Sequence, residues 1–148
     1  MTDDSSIIDG MVIFQERVVN LLQQLKMPIF ETSLVFQKHI NQLMKTLQEF
    51  ALSTGQHIPD KIGEPWAIDR SDNSSTQSFS IEKLLERGDA QRMDILDTLI
   101  RVTFVEIEIE VDKALLILRQ WEHLIRTQLS HVKSPGQLFS PLEIPDDW

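Results

Sequence analysis

The sequence contains no cysteine and few glycines, and these two shortages exclude several kinds of site. Without cysteine the chain has no disulfides, no thiolate ligands for zinc and no cysteine nucleophile. Its five glycines form no Gly-rich phosphate loop, and neither G-x-S-x-G nor H-E-x-x-H occurs. The sequence therefore offers no motif for nucleotide binding or for common hydrolases, and we expect a protein that is not an enzyme.

Long apolar runs and basic stretches are also missing. No apolar segment approaches the roughly 18–20 residues that a membrane span needs. The 23 acidic residues outnumber the 14 basic ones, the formal net charge is −9, and the basic residues form no stripe. Such a chain is poorly suited to nucleic acid or to an anionic membrane, so we expect neither as a partner. Its acidic first residues do not resemble a basic signal peptide, which predicts a cytoplasmic protein.

Histidines and carboxylates form no recognisable metal motif. The four histidines are scattered, and only the last two could share a helical face; they are His39, His57, His123 and His131. Di-metal sites in helix bundles use Glu-x-x-His pairs, and this sequence has none. We expect exposed helix histidines, no metal site and no cofactor.

Helical periodicity is the main positive signal. The 148 residues, 41% of them hydrophobic, are enough to bury one core. Apolar residues recur every three or four positions at Met11, Phe14, Val18, Leu21 and Leu25, and the stripe resumes after Pro28 displaced by one position. Because proline removes a backbone donor and crowds the preceding turn, the slip predicts a kink or a break there, between helices near 6–27 and 29–53.

The stretch FVEIEIEV at 104–111 has two possible interpretations. Its strict alternation of apolar and acidic residues is typical of a half-buried strand. A helical stripe, however, runs through it for more than twenty residues without error, along Phe104, Ile107, Val111, Ala114, Leu118, Trp121 and Ile125. We favour the helix because its pattern is longer and because a strand there would have no partner. This interpretation predicts one long helix over 90–132.

The remaining segments are marked by glycine, proline and serine. They predict a mobile, disordered loop over 54–79, a short helix over 80–87, and a Pro-rich acidic tail over 134–148. Ser80 is the expected N-cap of the short helix, Gly88 its end, and Asp89 the next N-cap. The predicted fold is all-α: residues 1–133 form a bundle of long amphipathic helices, either a four-helix bundle or a kinked helical hairpin, followed by an extended tail.

Apolar residues outside the main stripes are the candidate partner-binding residues. If 104–111 is helical, Val105 and Ile109 lie on a second apolar face, which another helix or another chain would have to cover. Large apolar side chains in the tail and the loop pack either on the bundle or on a partner, and they are Trp66, Phe139, Leu142, Ile144 and Trp148.

The function predicted from these features is that of a non-catalytic protein-protein interaction subunit. Such a subunit would be an adaptor, an assembly factor or a chaperone-like helical protein, and it would self-associate as a homodimer through coiled-coil-like helix faces. The alternatives are a sensory or regulatory helical domain, or a bundle that binds a small ligand or a metal.

Overall fold

The protein is described here by a computed structural model that covers residues 4–68, 88–132 and 135–145. Within these residues the secondary structure is helical apart from one isolated bridge between Pro28 and Pro141. The α-helices are α1 (Asp4–Leu25), α2 (Ile29–Thr54), α3 (Asp60–Gly63), α4 (Ala90–Glu106) and α5 (Val111–Leu129), and a 3-10 helix spans Pro135–Phe139. The predicted all-α class is confirmed. The predicted short helix over 80–87 lies outside the described residues.

The predicted interruption near Pro28 is confirmed and is a complete break. Lys26 adopts a left-handed conformation with φ of 48°. The amide of Lys26 donates to the carbonyl of Gln23, and the amide of Met27 donates to the carbonyl of Leu22, which is the Schellman pattern of helix termination. Pro28 then precedes the first residue of α2, where its missing amide costs nothing. The chain therefore reverses here and α2 starts a new helix.

The predicted single helix over 90–132 is wrong, because α4 ends at Glu106 and α5 begins at Val111. Glu108 is left-handed with φ of 51°, and the amides of Glu108 and Ile109 donate to the carbonyls of Val105 and Phe104. This is a second Schellman pattern, in which the apolar residue after the left-handed position packs on the last turn of the helix. The stretch 104–111 therefore contains the last residues of α4, a tight turn at 107–110 and the first residue of α5, and it is not a strand.

Glycine at position 108 is expected to stabilise the protein by about 1 kcal/mol, because a left-handed backbone is unfavourable for glutamate and free of steric cost for glycine. Gln48→Gly, on the exposed surface of α2, is the control and should destabilise by about 1 kcal/mol. Urea unfolding followed by circular dichroism measures both. A destabilised Glu108→Gly variant would show that this turn is not held in the left-handed conformation.

The four long helices form a bundle with one crossover connection. Helices α1 and α4 run antiparallel, since Gly10 lies against Ile107 at one end while Arg17 contacts Thr103 further along. Helices α2 and α5 are also antiparallel, with Phe36 stacked on Trp121 and Leu47 beside Val111. Helix α4 instead runs parallel to α2, since Arg92 contacts Glu31 near the start of both helices and Asp97 contacts His39 further along both. The connection between α2 and α4 therefore returns the chain to the opposite end of the bundle.

The core is continuous through the bundle. Its largest fully buried side chains are Trp121, Phe14, Phe36, Met27, Ile40, Leu96, Ile100, Leu115, Leu118 and Ile125. These residues come from all four long helices and from the turn before Pro28. Burial on this scale supplies the main stabilising free energy. Among the described residues, no helix is both long enough and apolar enough to cross a bilayer.

The first part of the predicted mobile loop is packed against α5. Arg119 Nε donates to the carbonyl of Ile62 at 2.9 Å, and Arg126 Nη1 donates to the carbonyl of Trp66 at 2.6 Å. Residues 55–68 of the predicted loop therefore include the short helix α3 and lie against the bundle, because two cations of α5 satisfy carbonyls of this connection. Residues 69–79 lie outside the described part of the chain.

The C-terminal tail packs on its own bundle. Leu138 and Leu142 are buried, the amide of Ile29 donates to the carbonyl of Ser140, and Gln128 exchanges two hydrogen bonds with the backbone of Glu143. Of the two alternatives for the tail, the structure shows self-packing for residues 135–145.

Candidate interaction surface

Helix α4 carries aliphatic side chains on the face opposite the core. Ile95, Thr98, Val102 and Val105, called here the outer stripe, recur at three- and four-residue spacing and therefore share one face. Ile95 is 40% exposed, Val102 44% and Val105 77%. On the inner face Leu96 and Ile100 are fully buried. The helix is thus apolar on two sides, although only one side is covered.

The structure separates the two residues that were predicted to form a second apolar face. Val105 is exposed as expected. Ile109 is half-buried and packs against the core, because it is the apolar residue that closes the turn after α4. The prediction that Ile109 lies on an outward helical face is wrong. Ile95 and Val102 take its place beside Val105, and their spacing in the sequence was the signal that the periodicity analysis missed.

The predicted tail and loop residues are largely occupied within the chain. Leu142 is buried and Ile144 packs against the core. The prediction that these two residues bind a partner is therefore wrong, because the chain's own bundle covers them. Phe139 is half-buried and meets Phe30 edge-on, with ring centroids 4.9 Å apart. Trp66 is half-buried, its Nε1 donates to the carbonyl of Lys61, and its ring lies 6.0 Å from that of His123. Trp148 lies outside the described residues.

A second exposed apolar feature lies at one end of the bundle. A groove of about 470 Å³, the bundle-end groove, opens between the end of α2, the α3 connection and the start of α5. Most of the lining residues are apolar, and they are Leu47, Phe50, Ala51, Ile58, Pro59, Ile62 and Val111. The polar lining residues are Thr46, Gln56, His57, Glu110 and Asp112. The groove has the size and apolar lining of small-molecule sites in proteins.

Glu31 is a fully buried carboxylate that links α2 to the start of α4. Arg92 grips it in a bidentate pair, with Nε to Oε1 at 2.9 Å and Nη2 to Oε2 at 2.7 Å, and the amide of Asp89 donates to the same carboxylate. The Asp89 side chain in turn accepts from the amides of Gln91 and Arg92, which confirms it as the N-cap of α4. The cluster fixes the start of α4 on α2.

His39 and Asp97 form a second link between α2 and α4. Nε2 of His39 lies 2.8 Å from Oδ1 of Asp97, and the carboxylate also contacts Lys38 Nζ at 3.3 Å and Arg101 Nε at 3.2 Å. The prediction that His39 is exposed is wrong, because it is buried. Every side chain that contacts Asp97 here is basic, so this cluster acts as a cross-link between two helices.

The third buried pair holds the loop on α5. Arg119 Nη1 donates to Glu122 Oε1 at 2.9 Å, and both side chains are almost fully buried. The same guanidinium also reaches the carbonyl of Ile62. In the described residues, no three His, Asp or Glu side chains come close enough to hold a metal ion.

Acidification is expected to destabilise the protein through His39. Burial lowers the pKa of His39 from its usual 6.5, although Asp97 opposes the shift. The folded state therefore favours the neutral imidazole, and the resulting stability is complete above pH 6.5 and declines below it. Burial raises the pKa of Asp97, but His39, Lys38 and Arg101 outweigh burial and lower it, so its contribution is lost only below about pH 3.8.

The measurement is the free energy of unfolding in urea at about pH 7.5 and about pH 5.5, the window in which His39 dominates the expected change. The native chain should be less stable at the lower pH, and His39→Gln should reduce this difference. His131→Gln, at an exposed histidine, should keep the native difference. An unchanged difference in His39→Gln would contradict the assignment.

No protein-family model matches the chain, and neither the curated proteins nor the solved structures contain a match to it.

Proposed function

We propose that the protein is a non-catalytic interaction subunit that binds another protein chain through the outer stripe of α4. The observation that carries the proposal is the exposure of Ile95, Val102 and Val105 along one face of a helix whose other face is fully packed. Exposed aliphatic stripes of this kind are typical of helix-in-groove and helix-on-helix recognition. The proposed role is that of an adaptor, assembly factor or chaperone-like protein, and the proposed compartment is the cytoplasm.

The polar clusters support a binding role for this surface rather than a chemical one. The three buried carboxylates described above are each paired with an arginine. The Glu31–Arg92 pair joins α2 to α4, and His39 and Lys38 of α2 contact Asp97 of α4. Arg119 of α5 holds the loop through the carbonyl of Ile62. These pairs make the bundle a firm support for α4, and a rigid support lowers the conformational cost of binding. A sensory or regulatory bundle would use the same surface. It would differ from an adaptor because its binding to the partner would change in response to a signal.

The test compares Val102→Asp with Leu52→Asp. Both replace an exposed aliphatic residue with a charge, but Leu52 is 85% exposed at the end of α2 and lies off the stripe. Tagged chains are expressed in the source cells, and their complexes are isolated and quantified alongside the native chain. The complexes should persist with Leu52→Asp and should be lost with Val102→Asp. Equal recovery with all three chains would contradict the proposal.

The bundle-end groove favours a second candidate function, the binding of a small apolar ligand. Filling the groove with Ala51→Phe should then abolish one-to-one binding of an apolar fluorescent probe, while Val102→Asp should leave it unchanged. Titration of the probe at constant protein concentration measures both. Equal probe binding by the native chain and Ala51→Phe would exclude the groove as a ligand site.

A further inference from the structure

We infer that the partner of the outer stripe is a second copy of this chain, docked with its α4 antiparallel about a twofold axis near Thr98. This inference rests on the proposed function, because it identifies the occupant of the same surface. The steps that lead to it are the register of the stripe, the charges beside it, and the position of the acidic turn that follows α4.

The register of the outer stripe suits antiparallel self-pairing. A twofold axis at Thr98 brings Gln91 of one copy level with Val105 of the other, and it brings Ile95 to within one residue, about 1.5 Å along the helix, of Val102. Each aliphatic side chain near the axis then meets another aliphatic side chain, and Gln91 and Val105 lie at the outer ends. A symmetric dimer uses the same patch twice, so this one stripe supplies both sides of the contact.

The charges beside the stripe are complementary in the same register. Asp94 and Arg101 are both exposed and lie along one edge of the stripe, seven residues apart. Antiparallel pairing about Thr98 places Asp94 of each copy beside Arg101 of the other. Arg101 already contacts Asp97 and Thr98, but its side chain is 59% exposed and its five donors leave capacity for a further carboxylate. Charges at such an edge set orientation more than affinity.

The acidic turn also favours the antiparallel arrangement. Glu106, Glu108 and Glu110 are exposed at the C-terminal end of α4. Parallel pairing would bring the two acidic turns together at one end of the interface, where like charges repel. Antiparallel pairing separates them to opposite ends and sets the dipoles of the paired helices head to tail. The pairing of Asp94 with Arg101 and the separation of the acidic turns therefore both favour the antiparallel dimer.

The size of the stripe predicts a weak dimer. Three aliphatic side chains, each partly exposed, form a contact at the small end of specific protein interfaces. The monomer and the dimer should therefore exchange at protein concentrations of about 10–200 µM. Sedimentation velocity over that range should show a concentration-dependent shift for the native chain and none for Val102→Asp.

Because the chain has no cysteine, single cysteines can report the geometry without background. Thr98→Cys should cross-link to itself with a short bis-maleimide, since the two copies of position 98 meet at the axis. Val105→Cys should not cross-link to itself, but it should cross-link to Gln91→Cys when the two variants are mixed. Leu52→Cys, which is exposed and off the stripe, controls for random collisions.

A charge exchange provides the second readout. Asp94→Arg should weaken self-association about 3- to 10-fold, and Arg101→Glu added to it should restore most of the loss. Circular dichroism on each variant checks that the bundle has folded. Restoration depends on the pairing between copies, so a general effect of charge or stability would not reproduce it.

The outcomes separate this inference from the proposed function. Equal self-cross-linking at positions 98 and 105 would overturn the antiparallel geometry. A native chain that is monomeric throughout, with complexes from cells still lost in Val102→Asp, would overturn the second copy as partner but leave the proposed function standing. If Val102→Asp changed neither self-association nor any complex, both would fail.

Discussion

Arg92→Ala is expected to lower the free energy of unfolding by about 3 kcal/mol, because it leaves the carboxylate of Glu31 buried without its cation. Glu31 is fully buried and receives both hydrogen bonds of the bidentate pair. The expected loss lies at the lower end for a broken buried pair, because about a third of the Arg92 side chain is exposed and water can enter when it is removed.

Two variants make this prediction specific, both measured by urea unfolding. Arg101→Ala, on the same helix, removes an arginine that is more exposed and should cost about 1 kcal/mol or less. Adding Glu31→Gln to Arg92→Ala should recover part of the loss, since the group left behind is then neutral. Equal losses for Arg92→Ala and Arg101→Ala would show that the Glu31 cluster has no special weight in the fold.

Trp121→Ala is expected to cost about 4 kcal/mol, the range found for removing a large aromatic side chain from a core. Trp121 is fully buried and stacks on Phe36, with ring centroids 5.4 Å apart, so its removal opens a cavity between α2 and α5. These two helices make the most extensive contact in the bundle. Trp121→Phe should cost much less, because a ring still faces Phe36.

Trp66→Ala is the matched control for the core tryptophan. Its side chain is half-buried at the surface of the loop, so its loss should cost less than about 2 kcal/mol. Thermal and urea unfolding of both variants, monitored by circular dichroism, give the comparison. A Trp66→Ala variant as unstable as Trp121→Ala would mean that the 55–68 connection, rather than the α2–α5 contact, dominates stability.

The helix boundaries that the sequence predicts well are those marked by a residue that starts or ends a helix. Both ends of α1 lie two residues from the predicted span 6–27, α2 starts at the predicted residue 29, and α2 ends one residue after the predicted residue 53. Pro28 cannot continue a helix and Gly55 adopts the left-handed conformation that only glycine takes without strain. Asp89 was likewise recognisable as an N-cap.

The turn at 107–110 was not predictable in the same way. Glu108 takes the left-handed position that glycine usually occupies, so the sequence carried no stop signal. The apolar spacing also continued without a slip from Phe104 through Ile107 to Val111, because the residues on either side of the turn face the same core. Only the three-dimensional packing reveals that the chain reverses there.

The sequence predicts only part of the outer stripe. A helix that is apolar on two sides needs two coverings, which points to Val105, and Val105 is exposed. A continuous helix through 104–111 would also place Ile109 on that face, whereas the exposed residues beside Val105 are Ile95 and Val102. The buried pairs of Glu31 and Asp97 had no signal in the sequence, because a charged residue on a helix is usually exposed and its partner lies about sixty positions away.

Site-specific photo-cross-linking in the source cells tests the central claim, that the outer stripe of α4 is a protein-binding surface. A photoreactive amino acid is placed at Val102 in one chain and at Leu52 in another, and the adducts are resolved by mass. Discrete protein adducts, including a dimer of this chain, are expected from position 102, and only a diffuse background is expected from position 52. Indistinguishable adduct patterns from the two positions would contradict it.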